Sequence, residues 1–180
     1  METTVKNKWV IDPTHSEVHF KVKHLVISTV TGSFERFQGS MTAAKDDFSD
    51  AEVEFSAEID SINTNQADRD GHLKSPDFFD AATYPKLTFK SKELQKKGDA
   101  DYKLKGDLTM HGVTKEVVLN AEFGGVVKDP WGNTKAGFEL TGTINRKDFG
   151  LTWNAVTEAG GVVVSDEVKL LVNVELVKQQ

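Results

Sequence analysis

Cysteine is absent from the chain, which removes disulfides, thiolate nucleophiles and cysteine-bound zinc together. No run of residues approaches the roughly 20 apolar positions that a membrane-crossing helix needs, so no transmembrane segment is expected. The opening Met1-Glu2-Thr3-Thr4-Val5-Lys6 lacks the apolar stretch of a secretory signal. A cytoplasmic location is the expectation, or the periplasm if the sequence is a trimmed mature form. Positive charge is in deficit: 22 Lys and Arg stand against 28 Asp and Glu, for a net charge of −6. That sign repels phosphate backbones and anionic membrane surfaces, and argues against a nucleic-acid partner.

Signatures of catalysis are missing too. The sequence has no Gly-x-Ser-x-Gly elbow, P-loop, Gly-x-Gly-x-x-Gly fingerprint or His-Glu-x-x-His pair. Asp12, His15 and Ser16 supply the residue types of a hydrolytic triad, but neighbours on one strand point to opposite faces. His24 and Asp70 are what remains for acid–base chemistry on a bound molecule. No catalytic residue and no cofactor are assigned, and the protein is expected not to be an enzyme. Five histidines raise a metal site as a candidate. His15 and His19 would stand about 13 Å apart on a regular strand at roughly 3.3 Å per residue. His24 has inward parity, and His72 and His111 lie in turn or loop sequence, so no shared metal site is expected.

What is present is alternation with period 2. The clearest segment is Glu52-Val53-Glu54-Phe55-Ser56-Ala57-Glu58-Ile59-Asp60, apolar at every odd position. A strand sends successive side chains to opposite faces, so such a segment has one dry face and one wet face. Asp166 to Leu176 repeats this with Val168, Leu170, Val172, Val174 and Leu176. Lys115 to Phe123 turns Val117, Leu119, Ala121 and Phe123 inward. Lys135 to Ile144 contributes Ala136, Phe138, Leu140, Gly142 and Ile144, and Tyr102 to Met110 contributes Leu104, Gly106, Leu108 and Met110. Weaker strands run from Glu17 to His24 (Val18, Phe20, Val22), from Phe34 to Ala44, and from Lys86 to Leu94 (Leu87, Phe89).

Eight strands result, and turn chemistry separates several: Lys97-Gly98-Asp99, His111-Gly112, Gly124-Gly125 and Asp129-Pro130-Trp131-Gly132-Asn133. Short connections favour antiparallel neighbours. Two segments interrupt the pattern. Within 64–85, Ser75-Pro76-Asp77 reads as a helix N-cap, a first-turn proline and a first-turn acid, predicting a short helix through Phe78, Phe79 and Ala82. Within 147–164, Asp148-Phe149-Gly150 and Gly160-Gly161 mark irregular or briefly helical structure. No repeat or linker appears, so residues 1–180 are read as one domain.

Eight such strands bury their dry faces either as two packed sheets or as one sheet closed on itself. At about this strand number a barrel either fills with side chains or keeps room for one small ligand. Bulky inward residues alternate with small ones (Ala57, Gly106, Ala121, Ala136, Gly142). That alternation fits large-against-small packing with glycine-bent strands, and equally an open channel.

Four stretches resemble the YceI-like family of lipid-binding proteins. They are Trp9-Val10-Ile11-Asp12-Pro13-Thr14-His15-Ser16-Glu17-Val18-His19-Phe20, Arg69-Asp70-Gly71-His72-Leu73-Lys74-Ser75-Pro76-Asp77-Phe78-Phe79-Asp80 with Tyr84-Pro85, Leu104 through Thr114, and Asn145-Arg146-Lys147-Asp148-Phe149-Gly150 with Ser165-Asp166-Glu167-Val168. The resemblance implies an all-β, eight-stranded, antiparallel lipocalin-like barrel with one or two short helices. It implies a bacterial protein whose lumen binds, stores or transports an isoprenoid, an isoprenoid quinone or its precursor, or a fatty-acid derivative. The residues expected to line that lumen and its mouth are Phe20, Val22, His24, Phe55, Arg69, Phe78, Phe79, Phe89, Leu104, Leu108, Leu119, Phe123, Phe138, Leu140 and Trp153.

Phe78 and Phe79 are expected to cap the barrel end, Trp153 to line the entrance, and Trp9 to plug against the N-terminal strand. Arg69 and Arg146 admit two roles: facing a polar head group at the mouth, or pairing with local carboxylates to pin the helix to the rim. The second is the preferred reading. The alternatives to lipid carriage are an isomerase or cyclase acting on a lipid in the same barrel, and a rigid interaction domain with a filled core. A homodimer is compatible with all three.

Overall fold

The alternating segments form eleven strands of one antiparallel sheet in the computed structural model, which describes residues 6–25, 27–154 and 163–179. The strands are β1 (Asn7–Ile11), β2 (Glu17–His24), β3 (Ser28–Phe34), β4 (Phe37–Ala43), β5 (Glu52–Glu58), β6 (Ile62–Asn63), β7 (Lys86–Lys96), β8 (Asp101–Met110), β9 (Val113–Lys128), β10 (Thr134–Asn145) and β11 (Val164–Lys178). Hydrogen bonding runs β1-β4-β5-β7-β8-β9-β10-β11 and returns to β1, so the sheet closes on itself. Strands β2, β3 and β6 continue β1, β4 and β5 along three sides, pairing as β11-β2-β3-β6. Three of the eight staves are therefore broken in two. Closure leaves the ring without the free edges that template aggregation.

The break between β1 and β2 has a local cause. Pro13–His15 form a 3₁₀ turn capped by Asp12, whose carboxylate accepts the Thr14 amide at 3.0 Å. Ser16 Oγ accepts the amide of Glu175 at 2.9 Å. At this point β11 passes from β2 (Val18↔Val172, Val22↔Val168) to β1 (Ile11↔Leu176, Trp9↔Lys178). The hydroxyl supplies the acceptor that the interrupted ladder lacks.

Three strands, β1, β3 and β6, add to those the alternation predicts, and the segment predicted from Phe34 to Ala44 is split at Glu35 and Arg36. The helix expectation is corrected. The described α-helix is α1, Ala67–Lys74, and Ser75 is its C-cap; 76–79 and 81–83 are turns. The Phe79 amide reaches back to the Leu73 carbonyl at 3.0 Å and the Ala81 amide to that of Lys74 at 2.9 Å, so the helix ends at the serine whose pattern predicts a start. Ser75 still accepts the Asp77 amide, but only within a turn. Gly160 and Gly161 lie outside the described residues.

The two ends of the barrel differ. At the base, the loop 44–51 folds across the opening, held by Asp50, whose carboxylate accepts the amides of Ala44 (2.9 Å) and Lys45 (3.0 Å). It drives Phe48 into the lumen floor, where the ring meets Trp9, Phe123 and Phe138 at centroid distances of 5.6, 5.4 and 5.7 Å. Tyr102 closes the floor from β8 and donates its hydroxyl to the Asp47 carbonyl at 2.6 Å. The opposite end carries α1 with the turns after it, the β8–β9 hairpin, the 3₁₀ turn Arg146–Phe149 and the start of β11. That hairpin is a two-residue turn with positive φ at both His111 and Gly112, the geometry that matches strand twist.

Candidate functional site

A cavity of about 240 Å³ occupies the middle of the barrel, and its exposed surface is wholly apolar. Its wall includes Val18, Phe20 and Val22 of β2, Leu104 and Leu108 of β8, Val117 and Leu119 of β9, Leu140 of β10, and Val168, Leu170, Val172 and Val174 of β11. The wall is unevenly packed. Leu87, Phe89, Leu104 and Leu108 are buried, whereas Val18, Phe20 and Val22 of β2, Val117 and Leu119 of β9, and Val168, Leu170, Val172 and Val174 of β11 are only partly buried. Most of them pack against the buried core on one side and line the cavity on the other.

Eleven of the expected lumen residues lie on this wall: Phe20, Val22, Phe55, Phe78, Phe79, Phe89, Leu104, Leu108, Leu119, Phe138 and Leu140. Four do not. Phe123 belongs to the floor, packed at 5.1 Å against Phe138 and beside Phe48 and Tyr102. His24 ends β2 opposite Ser28 and Val164. Trp153 packs at the mouth, with its ring 4.7 Å from His72 and 5.2 Å from Phe78. Phe78, buried beneath that pair, and Phe79, T-shaped on Phe34 at 6.2 Å, do close the upper end.

Arg69 stands apart from the wall and differs from expectation in its partner. Its guanidinium donates to Thr64 Oγ1 at 2.8 Å and to the Thr64 carbonyl at 2.6 Å, while the Thr64 hydroxyl and amide both donate to Asp70. Arg69 thus pins α1 to the end of β6 through a threonine, which in turn donates to Asp70. Arg146 reaches the cavity wall yet is only 4% exposed. It donates to the carbonyls of Ser165, Leu151, Trp153 and Val164, at 2.9, 2.6, 2.9 and 3.3 Å, with Asp166 3.9 Å away. Burial pulls its pKa down and Asp166 opposes that shift. A side chain whose donors are spent on backbone carbonyls holds the segment around Leu151 and Val164 against the rim.

The one described group with metal-ligand types in reach of one another is Asp12, His15 and Glu175, whose ligand atoms fall within 4.8 Å. A cation of the protein's own already serves it. Lys135 Nζ lies 2.9 Å from Glu175, 3.7 Å from Asp12 and 3.8 Å from Asp129. The hydroxyl of Thr14 and the ring of His15 hold the Asp12 carboxyl well below the usual carboxylate range. The cluster fastens the β1–β2 break to β10 and β11. His19 pairs with Glu17, His72 with Asp77, and His111 donates from Nδ1 to the Phe149 carbonyl at 3.1 Å.

Residues 9–176 match the YceI-like domain. A UPF0312 protein of Pectobacterium carotovorum is 42% identical over 166 residues, covering 92% of this chain and 83% of the relative. Among solved structures, Burkholderia cenocepacia BcnA superposes with a TM-score of 0.80 at 20% identity, over 92% of this chain and 98% of the other. A polyisoprenoid binding domain from Saccharophagus degradans, implicated in plant cell wall breakdown, gives 0.66 at 18% identity, over 95% and 98%. These two likenesses carry the fold.

Proposed function

The chain belongs to the YceI-like domain family, and we propose that it binds one long apolar lipid in the barrel lumen. The supporting observation is the wall itself. Val18, Phe20, Val22, Val168, Leu170 and Val172 point inward yet stay only partly buried, around a cavity with an apolar surface. A folded domain that leaves this much inward apolar area unburied forgoes stabilisation of roughly 25 cal/mol per Å². A ligand that covers it recovers that term at about 0.8 kcal/mol per buried CH₂.

The proposed ligand is a chain such as an isoprenoid, an isoprenoid quinone or precursor, or a fatty-acid derivative, and the proposed role is its storage or transport. The Saccharophagus degradans neighbour is a polyisoprenoid binding domain, which brings that class forward. The apolar wall of this chain suits it, because a polar chain would leave its own groups unpaired there. Binding is favoured over lipid isomerisation or cyclisation, since acid–base catalysis needs a titratable group within hydrogen-bond reach of the bound molecule. The cavity's exposed surface is apolar, and Arg146 spends its donors on carbonyls.

The test is extraction of protein purified without detergent, followed by mass spectrometry. A stoichiometric long-chain apolar molecule is the expected result. An empty barrel that also takes up no prenyl alcohol would overturn the proposal.

A further inference from the structure

The turn between β2 and β3 is built against its own solvent exposure. His24 and Ser28 pair across the strands, and the residues joining them are Leu25, Val26 and Ile27. Hairpin turns that need a left-handed backbone take Gly, Asn or Asp, whose side chains tolerate positive φ and water. Here Leu25 takes φ 53 and is 39% exposed, and Ile27 is 86% exposed. Val26 lies outside the described residues. Among the described residues Ile27 is left almost wholly without apolar cover, and left-handed backbone at a leucine adds strain.

The position of this tip gives it a use. Leu25 donates its amide to the Val163 carbonyl at 2.8 Å, and His24 pairs with Val164, which lines the cavity beside Val22. The exposed apolar residues therefore lie at the upper, helix-capped end of the lumen, a few residues from its wall. The charge around them runs against that of the whole chain. On the outer face of the same strands Lys21 pairs directly opposite Lys169, and Lys23 follows on β2. Like charges directly opposite each other weaken a sheet. Of the acids at the start of β11, Asp166 is engaged by Lys147 at 3.3 Å. A net charge of −6 is thus locally reversed beside an apolar point.

We infer that Leu25 and Ile27 are the point at which the barrel docks on an anionic phospholipid surface, with Lys21, Lys23 and Lys169 facing the head groups. This rests on the lipid-binding reading for its purpose, since an apolar chain transferred directly between bilayer and lumen avoids exposing each CH₂ to water. The contact lies on the membrane: among the described residues no helix is long and apolar enough to cross one. Two apolar side chains give weak, reversible partitioning, and basic residues add attraction that salt screens.

The experiment is flotation of the whole chain with phosphatidylcholine vesicles, with and without phosphatidylglycerol, at low and high salt. The wild type is expected to float with the anionic vesicles and to lose them as salt rises. Leu25→Asn with Ile27→Ser, where asparagine accepts the left-handed backbone, is expected to reduce flotation at least tenfold with an unchanged thermal midpoint. Lys21→Glu with Lys169→Glu is expected to remove the preference for anionic vesicles. Uptake of a prenyl alcohol added from ethanol is scored separately and stays at the wild-type level in the tip variant. Flotation that depends on the tip while the wild type takes up no prenyl alcohol would uphold the docking surface and sink the lumen reading. No flotation of the wild type, or equal flotation of the tip variant, would overturn the docking surface.

Discussion

The ring of Phe20 occupies the place of the side chain that Gly32 lacks: a Cβ on Gly32 would lie 2.2 Å from Phe20 Cζ. The two residues are direct cross-strand partners on β2 and β3. The arrangement recurs around the barrel. Phe89 covers Gly106 at 2.5 Å, Leu119 covers Gly142 at 2.4 Å, and Ile11 covers Gly39 at 2.6 Å. Each large side chain leans sideways over a neighbouring strand instead of reaching across the lumen. Large-against-small packing and an open channel are therefore one arrangement: the glycines take the bulk into the wall and leave the centre empty.

Substitution separates two kinds of covered glycine. At Gly106 a methyl group would also meet the Lys90 carbonyl at 2.6 Å and the Ser91 Cα at 2.8 Å, which are backbone and cannot yield. Gly106→Ala is expected to destabilise by about 1–3 kcal/mol, as overpacking does. At Gly32 the close contacts are all to the Phe20 ring, which can swing into the lumen. Gly32→Ala is expected to cost less stability and more lipid capacity. Urea unfolding and uptake of a prenyl alcohol check both, and the reverse ranking would refute the distinction.

The same glycines decide what the sequence reveals. Strands such as β5 and β11 keep their inward side chains and read cleanly by parity. The segment 28–34 has Val30 as its one aliphatic residue before Phe34, because the inward place at Gly32 is filled from β2; its alternation vanishes and the strand goes unread. Helix α1 carries only Leu73 as a large apolar residue and is held through Thr64, Arg69 and Asp70, so it offers no apolar stripe. Eleven wall residues follow from strand parity and the family blocks, while Phe123, on a correct parity, ends in the floor because Phe48 comes up beneath it. Phe48 leaves no periodic signal, being a lone aromatic among Asp46, Asp47 and Asp50.

Phe48 should be among the costliest single truncations. It is buried against three aromatic rings, and the loop around it contributes little other apolar area to the floor. Phe48→Ala is expected to lose about 3–5 kcal/mol, as aromatic-to-alanine changes in cores do. It also deepens the lumen, so the surviving folded protein should accept longer chains than the wild type. Urea unfolding measures the first effect and a series of prenyl alcohols of increasing length the second. A loss under about 1 kcal/mol would show that the loop is not the seal.

Asp12 gives the fold an acid-sensitive joint. Its carboxyl is depressed by the Thr14 hydroxyl first, then by the His15 ring and the Thr14 amide. A carboxyl depressed on folding contributes stability that is complete above its unfolded value of about 4 and is lost as pH falls toward its folded one. The wild type should therefore weaken progressively below about pH 4. Asp12→Asn keeps an acceptor but no charge for Lys135, so it should be less stable at pH 7 and lose less on acidification. Urea midpoints at pH 7, 4 and 3 for both proteins decide this. A gap between them that stays constant with pH would rule out Asp12 as the source.

Filling the lumen should abolish binding without harming the fold. Val172 is half-buried, faces the cavity from the middle of β11, and pairs with Val18 on one side and Leu140 on the other. Val172→Trp directs an indole into a space of about 240 Å³ with an apolar surface. Overpacking normally costs about 1–3 kcal/mol because neighbours are forced off their rotamers. Here the added ring meets open cavity, so it should cost little or even stabilise by burying apolar area. Uptake of a prenyl alcohol should fall at least tenfold while the thermal midpoint holds or rises. A lower midpoint with unchanged uptake would mean that Val172 abuts packed side chains, and that the lipid, if bound, lies elsewhere.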